Sequence, residues 1–186
     1  MEALINSFLL VFVSEMGDKT QLLALVLAAK FKRPLPILAG ILVATILNHA
    51  LASYLGHYIT QFLSPDILKW ILAGTFVGFG LWMLIPDKDD GFEGPTKWGP
   101  FLTTTVVFFL AEMGDKTQLA TVALGAKYAA PFMVTLGTTL GMMGADGLAV
   151  LFGHRFTEKI PMKLVHKIAS FIFIAFGIAI AIGYLE

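Results

Sequence analysis

Six apolar runs, at about residues 3–29, 36–59, 66–85, 101–127, 131–154 and 164–185, are separated by short polar gaps and leave this chain few possible folds. Roughly 20 apolar residues in a helix cross the hydrocarbon core of a bilayer, and each run reaches that length. In lipid every backbone polar group must be satisfied internally, so single runs of this kind form helices. Composition agrees: 57% of the 186 residues are hydrophobic and 14% charged, against about 25% charged in a soluble domain. The sequence predicts an all-α integral membrane protein with six transmembrane helices. Met1-Glu2-Ala3 supplies no basic segment of a cleavable signal, so the first run is expected to stay as a spanning helix.

All eight prolines fall in the gaps or at run edges, where they start and stop helices. The formal net charge is zero, which gives no reason to expect a nucleic-acid partner. Cysteine is absent, which removes disulfides, thiolate metal sites and thiol catalysis.

The chain also repeats itself. At an offset of 97 residues Glu15 falls on Glu112, Lys30 on Lys127, Pro34 on Pro131, Gly40 on Gly137 and His57 on His154. Over residues 14–40 against 111–137, 13 of 27 positions are identical, too many for two apolar stretches matched by chance. This predicts a first three-helix repeat at residues 1–86, an acidic linker loop at 87–99, and a second three-helix repeat at 100–186. An odd number of spans per unit sends the second unit into the membrane from the opposite side, giving an inverted repeat with its pseudo-two-fold axis in the membrane plane. Loops 1–2, 3–4 and 5–6 carry nine lysines and arginines and the other side carries two, Lys69 and Lys127. The basic side is expected to be cytoplasmic, with both termini outside.

The chemistry lies in Ser14-Glu15-Met16-Gly17-Asp18-Lys19-Thr20-Gln21 and its copy Ala111-Glu112-Met113-Gly114-Asp115-Lys116-Thr117-Gln118. Each string sits near the middle of a span, where a carboxylate costs several kcal/mol unless it faces a cavity or a partner. Four such acids argue for use; helix–helix glue is the plainer alternative. On a continuous helix Glu and Asp at i and i+3 share a face, and Gln at i+6 continues the row. The repeat then sets Glu15, Asp18 and Gln21 opposite Glu112, Asp115 and Gln118 as an oxygen-rich metal site. Oxygen ligands suit Ca²⁺, Mg²⁺ and Mn²⁺, whereas zinc and copper favour histidine or thiolate. Carboxylates so close cannot all ionise in an empty, poorly hydrated site, so protons and a divalent ion should compete for it. That competition is the physical basis of a metal/proton antiporter.

Several neighbours are accessory candidates. Gly17 and Gly114 either interrupt their helices, as at transporter sites, or allow close packing. Lys19 and Lys116 either neutralise the empty site and swing away on metal binding, or pair permanently with the aspartates, or snorkel. Thr20 and Thr117 lend a hydroxyl oxygen or bond their own helix backbone. Met16 and Met113 either bias the site toward a softer ion such as Mn²⁺ or only pack. Asp146, with Asn48 and His49 at the corresponding depth of the first repeat, is a proton relay or cage partner, or else a helix–helix hydrogen bond. Gly74-x₃-Gly78 and Gly137-x₃-Gly141 predict close helix packing. Trp70, Trp82, Trp98 and Tyr128 are expected at the membrane interface.

A doubled E-x-G-D-K-T, one copy opening each three-helix half, strongly resembles the Golgi manganese/calcium transporter family, which includes bacterial manganese exporters of the MneA and Mnx types. The resemblance covers essentially the whole chain. It implies transport of Mn²⁺ or Ca²⁺ in exchange for protons, with Glu15, Asp18, Glu112 and Asp115 as the cation site; Gln21 and Gln118 are added from spacing alone. It further implies a bacterial inner-membrane protein exporting excess Mn²⁺, with no cofactor beyond the transported ion and no enzymatic activity. Ca²⁺/H⁺ exchange and a passive cation channel are the competing readings. An intramembrane metalloenzyme is disfavoured by the lack of a histidine ligand set or nucleophile–base pair.

Overall fold

Proline and glycine set the element boundaries much as the sequence suggests, with one consequential exception. The computed structural model describes residues 1–85, 98–153 and 162–183. Most of the expected 87–99 linker and His154 lie outside the described residues. Among the described residues the chain forms α1 (Glu2–Glu15), α2 (Lys19–Phe31), α3 (Pro34–Ile59, prolonged by a 3-10 turn at Thr60–Phe62), α4 (Pro65–Trp82), α5 (Gly99–Glu112), α6 (Lys116–Tyr128), α7 (Pro131–Phe152) and α8 (Met162–Ala181). Pro34, Pro65, Pro100 and Pro131 all stand in a first helical turn, where the missing N–H is no loss.

The exception is that the first and fourth apolar runs are not single helices. Each breaks at its motif, α1 from α2 and α5 from α6. Gly17 and Gly114 take φ of 86° and 77°, a left-handed conformation that costs other residues about 1–2 kcal/mol. Met16 and Met113 are extended, as are Asp18 and Asp115. Of the two readings of the glycines, interruption is the one the structure takes. The i, i+3, i+6 row expected on one continuous helix face does not form, because the helix ends at the glutamate and restarts after the aspartate.

The repeat reaches the packing. α1 lies on α7 and α5 on α3; α2 also meets α7 and α6 meets α3; α3 crosses α7, and α4 pairs with α8. Exchanging the two halves leaves this set of neighbours unchanged. Close approaches recur as well: a Cβ at Gly40 would stand 2.8 Å from the Phe101 carbonyl oxygen on α5, and one at Gly137 would collide with the Leu4 carbonyl on α1. Gly141 likewise abuts Phe8 and Phe12, so Gly137-x₃-Gly141 is a packing face. Gly74-x₃-Gly78 is not: nothing lies within 4 Å of either position. That face of α4 turns away from α8, and the contact is made instead through Gly80, Gly177, Phe76 and Phe173.

Polarity runs inside out. Glu15, Gln21, Asn48, His49, Glu112 and Asp146 are buried, while Leu51, Leu55, Phe171 and Ile182 are exposed. Such a surface suits lipid rather than water. α3 with its extension, α7 and α8 are long and apolar enough to cross a membrane. At 1.5 Å per residue, the 26 residues of α3 reach about 39 Å, beyond the roughly 30 Å hydrocarbon core.

Candidate cation site

Two helix breaks facing each other across the bundle bring the motif acids into one place. Glu15 ends α1 and Glu112 ends α5, both fully buried. Asp115 sits at the start of α6. One carboxylate oxygen from each of Glu15, Glu112 and Asp115 lies within 4.8 Å of the others. A hard cation with metal–oxygen distances of about 2.0–2.6 Å sets opposite ligands about 4–5 Å apart, so the trio has the right span. Both oxygens of Glu112 and Oδ2 of Asp115 are buried without a hydrogen-bond partner among the described residues. Unsatisfied acceptors of this kind are costly, and a cation would satisfy them.

Glu15 is held differently. Thr20 Oγ1 donates to Glu15 Oε2 at 2.6 Å, and Thr117 Oγ1 from the other repeat donates to Glu15 Oε1. Of the alternatives drawn from the sequence for the threonines, a bond to their own helix backbone is not the one taken: both hydroxyls donate to a carboxylate and position it.

The aspartates exchange lysines between repeats. Lys19 Nζ lies 3.1 Å from Asp115 Oδ1, and Lys116 Nζ lies 3.8 Å from Asp18 Oδ1. Each motif thus supplies the cation for the other motif's acid. Lys116 also stands over the Trp82 ring at 5.8 Å. Trp82, expected only at the membrane interface, therefore reaches a motif lysine, a contact with no signal in the sequence.

Gln21 and Gln118 act as clasps. Gly17 N–H donates to Gln21 Oε1 at 2.9 Å, and Gly114 N–H donates to Gln118 Oε1 at 2.7 Å. Each side chain thereby satisfies an amide that its helix break leaves free. The other end of each glutamine crosses to the opposite repeat. Gln21 Nε2 donates to the Ala145 carbonyl at 3.0 Å, and Gln118 Nε2 donates to Asn48 Oδ1 at 3.2 Å. Asn48 and Ala145 are 97 residues apart, so the offset does mark the shared docking position. Asn48 Nδ2 donates in turn to the Phe109 carbonyl at 3.0 Å, beside the second break.

The remaining candidates are less engaged. Met16 Sδ accepts weakly from Gln21 Nε2 at 3.7 Å, whereas Met113 is 56% exposed. Asp146 and His49, repeat equivalents, are both fully buried with no side-chain hydrogen-bond partner among the described residues.

Comparison with known proteins accords with this geometry. The family model described as "Divalent cation/proton antiporter GDT1" matches residues 3–91 and 100–186. The chain belongs to the GDT1 family. A Vibrio cholerae protein described as a "putative manganese exporter" is 47% identical over 182 residues, spanning 97% of this chain and 91% of that protein. GDT1-like protein 4 of Arabidopsis thaliana is 29% identical, spanning 96% of this chain and 94% of its own. GDT1-like protein sll0615 of Synechocystis is 28% identical with 96% of each chain covered. No solved structure matches. As a GDT1 protein the chain belongs to a family of divalent cation/proton antiporters, in line with the family inferred from the doubled motif.

Proposed function

We propose that this GDT1 protein is a secondary transporter that exports Mn²⁺, with Ca²⁺ as the alternative ion, in exchange for protons through one pseudo-symmetric carboxylate site. The observation that carries the reading is the buried trio Glu15, Glu112 and Asp115, with ligand oxygens within 4.8 Å of one another and both oxygens of Glu112 lacking a partner among the described residues. Asp18, which lies outside the trio and pairs with Lys116, is taken as the fourth acid of the site, and Gln21 and Gln118 as holding its walls. Oxygen-only ligation favours Mn²⁺ and Ca²⁺ over zinc or copper, and the Vibrio relative's description favours manganese. The six apolar runs are taken as six spans in two inverted three-helix repeats, 1–86 and 100–186, joined by the 87–99 loop. The broken first and fourth spans fit the discontinuous helices that line transporter sites. The membrane is taken as a bacterial inner membrane, with both termini outside the cytoplasm.

Purified protein in liposomes tests this. Mn²⁺ is expected to move uphill when a pH gradient is imposed, and Glu112→Gln should abolish metal-dependent proton flux. Normal flux in that variant would sink the single-site reading. Metal flux that no pH gradient can drive uphill would show a channel in its place.

A further inference from the structure

The two cross-repeat ion pairs occupy equivalent places but not equivalent surroundings. Lys116 is 4% exposed, lies 3.8 Å from Asp18 and is covered by the Trp82 ring. Lys19 is 32% exposed and closer to its partner, 3.1 Å from Asp115 Oδ1. Asp115 belongs to the three-acid cluster, and its other oxygen, Oδ2, is buried without a hydrogen-bond partner among the described residues. One oxygen of this carboxylate thus meets an ammonium from the opposite repeat while the other is left for a further cation. Of the two lysines, Lys19 alone combines contact with the cluster and partial exposure.

We propose that Lys19 is a tethered counter-ion, seated on the accessible edge of the acid cluster, which must leave Asp115 before a divalent cation can be fully coordinated. The inference rests on the acid cluster being the cation site. A bound ammonium neutralises part of the cluster when it is empty, where several uncompensated acids are unfavourable. An arriving cation must break that ion pair and tolerate the lysine's positive charge nearby. Both effects weaken metal binding. Both also help expel the ion later, when Lys19 returns. Lys19 thereby keeps affinity low enough for release, as conduction through any such site requires. Lys116, enclosed beneath Trp82, has no comparable freedom and holds the second half of the site together.

The test is metal binding and transport by the full-length protein under mildly alkaline conditions, with Mn²⁺ as the probe. Lys19→Gln is expected to tighten Mn²⁺ binding roughly threefold to tenfold, and to lower KM and kcat together because release slows. Lys19→Arg, which keeps the charge, should stay near the wild type. A second measurement does not depend on the variants folding well: Mn²⁺ should raise the rate at which an amine-reactive label modifies Lys19 of the wild-type protein, with Lys69 as internal reference. Unchanged or weaker binding by a folded Lys19→Gln, or Lys19 labelling indifferent to Mn²⁺, overturns the proposal while leaving the acid site intact. If the wild type and Glu112→Gln bind Mn²⁺ alike, the acid site itself is wrong and this inference falls with it.

Discussion

Glu15 and Glu112 hold the same place in the two motifs yet differ in what surrounds them. Threonines from both repeats, Thr20 and Thr117, donate to the two oxygens of Glu15; the oxygens of Glu112 are buried without hydrogen-bond partners among the described residues. A charge-assisted hydrogen bond stabilises by roughly 1.5–3 kcal/mol, and an unsatisfied buried group costs about 1–3 kcal/mol or more. Leucine replacements are therefore expected to move metal-free stability in opposite directions. Glu112→Leu removes an orphaned carboxyl and should raise the melting temperature measured in detergent with a chelator present. Glu15→Leu strands two threonine hydroxyls and should lower it. Added Mn²⁺ should stabilise neither variant, although it stabilises the wild type. Equal shifts of one sign in the two variants would show that the asymmetry has no energetic consequence.

At the scale of the element, the helix breaks convert a linear motif into a site. A continuous helix would set Glu15 and Asp18 in a row on one face; the turn at Gly17 instead leaves a glutamate at one helix end and an aspartate at the start of the next. A methyl group added at Gly114 meets open space, so Gly114→Ala should cost only the left-handed backbone penalty, about 1–2 kcal/mol. Transport should fall by more than that loss of stability explains, because relief of the strain turns Asp115 away from Glu112. Gly114→Asn, better tolerated at positive φ, should recover part of the flux; an alanine variant that transports like the wild type would show that the break is incidental. The breaks also mark where the sequence was legible. Membrane character, most helix starts and the paired packing of the two halves could be read from apolar runs, proline positions and the 97-residue offset. The acids were found because ionisable groups at mid-span are rare. What stayed hidden depended on long-range geometry: the threonines on Glu15, Trp82 over Lys116 and the clasps to Ala145 and Asn48. Gly74-x₃-Gly78 misled because spacing places two glycines on one helix face without saying which neighbour, if any, that face meets.

At the scale of the whole molecule, the fold is nearly unchanged when its halves are exchanged, but the site is not. Its two lysines differ in exposure, its two glutamates in hydrogen bonding, and its methionines in cover: Met113 is 56% exposed, whereas Met16 is partly buried beside Gln21. A pseudo-symmetric scaffold with an asymmetric site predicts a second arrangement, in which the roles of the halves are swapped. If the repeats are inverted, that swap moves access from one side of the membrane to the other. The chain lacks cysteine, so single introduced thiols report access without background. Met113→Cys should react with a membrane-impermeant maleimide from one side of a sealed vesicle. Met16→Cys should react slowly, and only from the opposite side. Reversing the imposed pH gradient in the presence of Mn²⁺ should shift reactivity from the first position toward the second. Labelling of both thiols from the same side would rule out inversion and leave two parallel units around a site that opens only one way.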